Sequence, residues 1–154
     1  MKIILYRPLI PQNTGNIIRT CDVTNTELIL VRPLGFSTSS RMLKRAGLDY
    51  INEFKFQEID DLDQYLENLS DREKQNIYFF SSKVSKKYSD VKYTKDSILI
   101  FGSETFGLDE TFFEKYEKQF VTIPMADKKR CLNLSNSVAI GLYEALRQTN
   151  FSTF

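Results

Sequence analysis

Short apolar runs recur along the chain and alternate with longer segments of mixed polarity. The runs predicted to be strands are residues 2–6, 28–31, 53–56, 76–80, 97–101 and 120–123. Several are continuously apolar, which is typical of parallel strands covered on both faces. The segments predicted to be helices are residues 14–23, 40–46, 61–69, 109–116 and 135–148. This alternation predicts an α/β fold, in which helices flank a parallel sheet.

The last predicted helix is apolar on nearly every side. Its apolar residues are Val138, Ala139, Ile140, Leu142, Tyr143, Ala145 and Leu146. One face of a sheet covers only part of such a helix, so the pattern favours a homodimer through the C-terminal helix. The alternative is a helix enclosed within its own chain.

The composition limits the classes of protein to which the chain can belong. With 154 residues and 42% hydrophobic content, we expect one domain over residues 1–154. A net charge of +1 excludes a disordered chain and a uniformly basic surface. The absence of His excludes a His base or metal ligand. Cys21 and Cys131 form no metal motif, and no long apolar segment occurs, so we expect a cytoplasmic protein without metal or membrane span.

Three segments rich in Gly, Asn, Ser and Arg follow predicted strands. Residues 11–20 contain Gly15, which would allow a turn that exposes backbone amides at a helix N-terminus, with Asn13 or Thr14 as its cap. Residues 101–108 carry two glycines and a carboxylate, and residues 130–138 offer Asn133 or Ser135 as a cap for the last helix. Ligands bind at the carboxyl ends of parallel strands, so these segments are candidate binding loops.

Each segment alone also fits an ordinary turn or a capped helix. Neither a GxGxxG motif nor a P-loop is present, so the sequence does not indicate a nucleotide phosphate site. The carboxylate of Glu104 favours instead a ligand with hydroxyl groups or an amine. The eight acidic residues between positions 53 and 73 are more typical of a solvated face than of a catalytic pair.

Together the three segments resemble the motifs of the SPOUT superfamily of RNA methyltransferases, which use S-adenosylmethionine. Residues 13–19 resemble the first motif, residues 101–108 the second, and residues 123–125 with 132–138 the third. The resemblance covers nearly the whole chain. It is strongest to small enzymes that methylate the ribose 2′-OH of the wobble cytidine or modified uridine of tRNA, in particular of leucine tRNAs.

This resemblance implies a C-terminal trefoil knot whose loops form the cofactor pocket, and a dimer through the terminal helix. The residues that it assigns to S-adenosylmethionine are Phe80, Gly102, Glu104, Ile123, Met125, Cys131 and Leu132. The chain departs from the usual pattern at Ser103, Phe106 and Cys131, where family members commonly have Pro, Arg and Ser. The change at Phe106 removes a cation that could contact RNA.

Methyl transfer to a ribose hydroxyl requires near-attack geometry and does not require a His base. Arg19 is the candidate for contact with the target ribose or its phosphate, and Asn133 and Ser135 could orient the hydroxyl. The residues expected to bind tRNA are Asn13, Asn16, Arg19, Arg41 and Arg45. Basic runs within residues 32–47, 83–95 and 128–130 are candidate phosphate contacts.

Two alternatives to wobble methylation remain open. One is the same transfer to another nucleotide of tRNA or rRNA. The other is a non-catalytic RNA-binding knot protein, which the intact motif residues disfavour.

Overall fold

A sheet of six parallel strands forms the centre of the molecule, in the order β3-β2-β1-β5-β4-β6. The computed structural model describes residues 1–38, 54–126 and 131–152. The strands are β1 (Lys2–Tyr6), β2 (Glu27–Val31), β3 (Gln57–Ile59), β4 (Ile77–Phe80), β5 (Ile98–Phe101) and β6 (Phe120–Val121). Parallel pairing places the carboxyl ends of all six strands at one edge of the sheet.

Helices pack on both faces of this sheet. They are α1 (Pro11–Val23), α2 (Leu62–Glu67), α3 (Asp71–Lys74), α4 (Glu110–Tyr116) and α5 (Leu134–Gln148). The apolar residues of α1 and α5 pack on one face, and those of α2 and α4 pack on the other. The predicted α/β architecture, a parallel sheet between helical layers, is therefore confirmed.

Strand β5 shows why the apolar runs lack alternation. It pairs with β1 on one side and β4 on the other, and its four residues are at most 2% exposed. Leu99 and Phe101 belong to the core beneath α1 and α5, whereas Ile98 and Ile100 belong to the core beneath α2 and α4. Burying each such side chain contributes roughly 1.5–3 kcal/mol, so both helical layers depend on this strand.

Two elements begin three or more residues away from their predicted positions. The third strand lies at Gln57–Ile59 and not at 53–56, because Phe54 and Phe56 pack against the core beneath α1 and α5 before the strand begins. Helix α1 begins at Pro11, since a proline suits the first turn of a helix. Gly15 is consequently buried inside α1, and the turn predicted there is wrong.

A short additional helix follows α2, where the sequence analysis predicted none. Helix α2 ends at Glu67, within the segment predicted as helical at 61–69. Ser70 then caps α3 through a capping box with Glu73. The predicted helix at 40–46 lies outside the described residues. Within the described ranges, no helix has the length and apolar character needed to cross a membrane.

Most of the apolar surface of α5 is covered by its own chain. Val138, Leu142, Ala145 and Leu146 are fully buried. Two apolar side chains, Ile140 and Tyr143, remain 36% and 46% exposed. The helix therefore exposes a narrow apolar strip to solvent, and this strip is a smaller apolar area than its sequence pattern predicted.

Candidate functional site

A cavity of about 580 Å³ opens where three neighbouring strands end. Phe101 and Gly102 contribute from the end of β5, Phe80 from the end of β4, and Ile123 from the segment after β6. The start of α1 and the start of α5 complete its wall. This position follows from the fold, because ligands of parallel α/β sheets bind outside the carboxyl ends of the strands.

The loop after β5 closes on itself at the cavity. Ser103 N donates to Gly107 O at 3.1 Å, and Gly107 N donates back to Ser103 O at 3.0 Å. Gly107 has a φ of 72°, which favours glycine. A Cβ on Gly102 would lie 2.2 Å from the carbonyl carbon of Gly107, so only glycine permits this closure. A proline at Ser103 could not donate the first of these bonds.

Glu104 joins this loop to the segment that leads into α1. Its carboxylate accepts hydrogen bonds from Leu9 N at 2.8 Å, Ile10 N at 3.2 Å and Asn13 Nδ2 at 2.9 Å. Ile10 is the N-cap residue of α1 and provides no side-chain cap of its own. Glu104 therefore supplies negative charge to the N-terminus of α1 from a distant part of the chain.

Asn13 extends this chain of hydrogen bonds to α5. Its Oδ1 accepts a hydrogen bond from Asn133 Nδ2 at 2.8 Å. Asn13 is only 5% exposed, so this bond satisfies a buried polar group. Asn133 caps α5, since its Oδ1 accepts from Ser135 N at 2.8 Å, Ser135 Oγ at 2.6 Å and Asn136 N at 3.4 Å. One polar network, which we call the Glu104–Asn13–Asn133 chain, thus links all three sequence motifs.

A second contact fixes the far end of the loop to β1. Tyr6 Oη donates to the carboxylate of Asp109, and Arg7 forms an ion pair with the same carboxylate at 3.5 Å. Burial, together with the Asp109 carboxylate, raises the pKa of Tyr6. The phenol therefore stays protonated and can donate this bond at neutral pH.

The structure brings together every residue that the sequence analysis assigned to the cofactor. The residues that line the cavity are Phe80, Gly102, Glu104, Ile123, Met125, Cys131 and Leu132. Asn13 and Asn133 line it as well. Their positions agree with a common binding site, and their individual roles remain predictions.

The remaining predicted site residues lie elsewhere. Ser135 directs its hydroxyl to Asn133 and does not line the cavity. Asn16 and Arg19 are exposed, one turn apart on the solvent side of α1. Arg19 lies six residues beyond Asn13, about 9 Å further along the helix axis. Arg41 and Arg45 fall outside the described residues.

Sequence reasoning did not single out the segment after β4. Ser81, Ser82 and Lys83 line the cavity directly beyond Phe80. Lys83 had been noted only as part of a basic run. The rule that ligands bind beyond strand ends would have identified all three, because the strand itself was predicted.

The two cysteines have contrasting environments. Burial raises the pKa of Cys21 in α1 to about 12, so its thiol is protonated and unreactive. Cys131 is exposed at the cavity, and its Sγ donates to Ser82 Oγ at 3.6 Å. Both thiols are free.

The basic runs are only partly available to a polyanion. Arg32 contacts Glu58 and Asp60, each at 3.3 Å, and Lys86 donates to Lys118 O at 2.9 Å. Lys83 lines the cavity, whereas the basic residues at 128–130 lie outside the described residues. Within the described ranges, no carboxylate lies within ion-pair distance of Arg19, which leaves its guanidinium able to meet a phosphate.

Comparison with known proteins agrees with this geometry. Residues 1–143 match the SpoU rRNA methylase family. A Lactobacillus gasseri protein, provisionally named RNA (cytidine(34)-2′-O)-methyltransferase, is 49% identical over 152 residues, covering 97% of this chain and 81% of that protein.

Two solved structures share the fold over almost all of this chain. One, presented as structural insights into the 2-OH methylation of C/U34 on tRNA, has 37% identity and a TM-score of 0.86, covering 96% of this chain and 89% of the other. The AdoMet-bound rRNA methyltransferase from Sinorhizobium meliloti has 25% identity and a TM-score of 0.78, covering 95% of this chain and 55% of the other. The chain therefore belongs to the SpoU rRNA methylase family.

Proposed function

We propose that this protein transfers a methyl group from S-adenosylmethionine to the ribose 2′-OH of nucleotide 34 of tRNA. The observation that carries the proposal is the convergence of three motifs on one cavity through the Glu104–Asn13–Asn133 chain. The similarity to the Lactobacillus gasseri protein and to the C/U34 structure supports the target nucleotide. A tRNA substrate also favours the cytoplasm as the location.

The cavity fits the cofactor in size and in chemistry. Its volume of about 580 Å³ lies within the roughly 300–1,000 Å³ of sites for ligands of this size. Phe80, Ile123 and Leu132 offer apolar walls for a base, and the backbone of Gly102 can be approached closely. S-adenosylmethionine supplies, when bound, a methyl group on a positively charged sulfur. The hydrogen bonds of Glu104 hold the loop after β5 against the start of α1, and both of these segments line the cavity.

The chain's own residues would position the ribose. Holding the hydroxyl in near-attack geometry removes much of the entropic barrier to transfer. Asn133, fixed by its bonds to Asn13 and to the start of α5, is the candidate to orient that hydroxyl. Arg19, which is exposed on α1 and does not line the cavity, is the candidate to contact the target ribose or its phosphate from outside and so to hold the ribose in position. Since Ser135 donates to Asn133, we infer that it acts through Asn133.

Nucleoside mass spectrometry tests the proposed activity. Purified protein, S-adenosylmethionine and unmodified tRNA transcripts should yield a 2′-O-methyl nucleoside at position 34 of the substrate tRNA, which we expect to be a leucine tRNA. A transcript with a 2′-deoxy residue at that position is the matched control and should accept no methyl group. Methylation of the control, or of another nucleotide alone, would contradict the proposal.

We also propose a homodimer through α5. Ile140 and Tyr143 form the exposed apolar strip of that helix and are available for a second copy. Sedimentation of the wild type should give the mass of two chains. Tyr143→Asp should lower the measured mass towards that of one chain, because a carboxylate is costly to bury in an interface. A monomeric wild type would contradict this assembly.

The trefoil knot implied by the family is the last part of the proposal. β6 lies at the edge of the sheet beyond β4, whereas α5 packs beside α1 and against β5. Met125 and Cys131, which precede and follow residues 127–130, both line the cavity, as expected if the loops of a knot form its wall. A crystal structure with S-adenosylmethionine would test the knot by the path of residues 122–134.

A further inference from the structure

Exposed apolar side chains are concentrated around the cavity. Among the described residues, eight large apolar side chains are at least 36% exposed, and four of these line the cavity. The four are Ile10, Phe106, Met125 and Leu132. Phe106 is the most exposed of all, at 77%. Exposed apolar side chains that gather around one cavity commonly mark a site of interaction.

The ring of Phe106 stands on a rigid loop. The two backbone bonds between Ser103 and Gly107 close the loop, and Phe106 N donates to Ser103 Oγ at 3.2 Å. Glu104, two positions earlier, ties the same loop to the start of α1. A contact made by Phe106 would therefore require little ordering of the backbone.

No partner within the described parts of the chain explains the position of the ring. The aromatic pairs on both faces of the sheet involve other residues, and the ring of Phe106 belongs to neither core. Packing against these residues therefore does not account for the position of the Phe106 ring. An aromatic ring at the mouth of the cavity would meet whatever part of the substrate remains outside when the ribose enters.

We propose that Phe106 is a stacking platform for a nucleobase that flanks the methylated nucleotide, and so helps to determine which RNA is accepted. The inference rests on the proposed function, since it takes the cavity to receive a ribose of RNA. Unpaired bases in RNA loops can be splayed apart and stacked on aromatic side chains, whatever their identity. Aromatic stacking also contributes affinity without releasing counterions, in contrast to a cation that binds phosphate.

Fluorescence of 2-aminopurine tests the inference directly. Two anticodon stem-loop RNAs, each with 2-aminopurine on one side of nucleotide 34, report stacking at the flanking bases. With wild type, the fluorescence of at least one probe should be quenched on binding. Phe106→Ala should abolish that quenching and lower RNA affinity about 10-fold, within a range of about 5- to 150-fold.

Matched variants separate stacking from a general apolar effect. Phe106→Tyr retains the ring and should bind like wild type, whereas Phe106→Leu should lose quenching. Val23→Ala removes another exposed apolar side chain, 64% exposed in α1, and should change nothing. The slope of log affinity against log salt concentration should be the same for wild type and Phe106→Ala.

Three results would overturn the inference. They are unchanged quenching and affinity in Phe106→Ala, retained quenching in Phe106→Leu, and a change in sedimentation of Phe106→Ala that places the ring in a subunit interface. Failure of the proposed function is distinguishable, because the wild type would then produce no 2′-O-methyl nucleoside in the mass-spectrometric assay. The binding measurements do not depend on turnover.

Discussion

Replacing Arg19 with alanine is expected to lower methyl transfer to tRNA by at least about 100-fold, while the affinity for S-adenosylmethionine stays unchanged. Misplacing a reacting group by about 1 Å can cost about 10²-fold in rate, and loss of the Arg19 contact would release the ribose from its position. Arg19 is exposed and does not line the cavity, so its removal should not disturb cofactor binding. Single-turnover methylation and calorimetry with S-adenosylmethionine measure the two effects separately.

Two further variants sharpen the role of this arginine. Arg19→Lys keeps the charge but loses the planar fork that binds a phosphate through two bonds, and should recover only part of the activity. Arg72→Ala removes an exposed arginine that pairs with Asp96 and should leave methylation unchanged. Full activity in Arg19→Ala would eliminate Arg19 from the mechanism.

Glu104→Gln is expected to lower the free energy of unfolding by about 1–3 kcal/mol and to weaken S-adenosylmethionine binding by about 10-fold or more. The carboxylate accepts from Leu9, Ile10 and Asn13, with at least one donor on each oxygen. In glutamine one oxygen becomes an NH₂ group, which must face a donor whichever way the amide turns. The start of α1 should then separate from the loop after β5.

Glu114→Gln is the matched control for Glu104→Gln. Glu114 is an exposed acid on α4 and lines no part of the cavity. Urea unfolding should give the wild-type value for the control, and calorimetry should give wild-type cofactor affinity. If Glu104→Gln matched the control in both measurements, the network would have no role in holding the site.

The positions of the site segments were predictable from the sequence, but their connections were not. Glycines and short polar residues after apolar runs indicated loops at strand ends, and the fold places two of these segments around one cavity, together with the start of α1, which is a helix and not the predicted turn. The partners of Glu104 lie 91 to 95 positions away along the chain, so no local pattern could identify them. The sequence predicted a ligand hydroxyl or amine at this carboxylate. In the structure the carboxylate accepts hydrogen bonds from two backbone amides and from the side chain of Asn13.

The capping of α5 illustrates the same limit. Asn133 and Ser135 were alternative candidate caps in the sequence, yet Asn133 is the cap, and both Ser135 and Asn136 donate to its side-chain oxygen. Asn133 keeps its amide nitrogen for Asn13, which belongs to another motif. At α1 the cap was predicted at the wrong position. Asn13 and Thr14 were the candidate caps, but the helix begins earlier, at the proline at position 11.

The order of the strands also constrains how the protein is made. β1 and β4 never pair with each other, and β5, which emerges later during synthesis, lies between them. Until residue 101 has left the ribosome, each of those earlier strands has an open edge facing the missing one. Open apolar edges invite pairing with other chains. The nascent protein therefore depends on the insertion of β5, and on α5 closing over it, to leave its most aggregation-prone state.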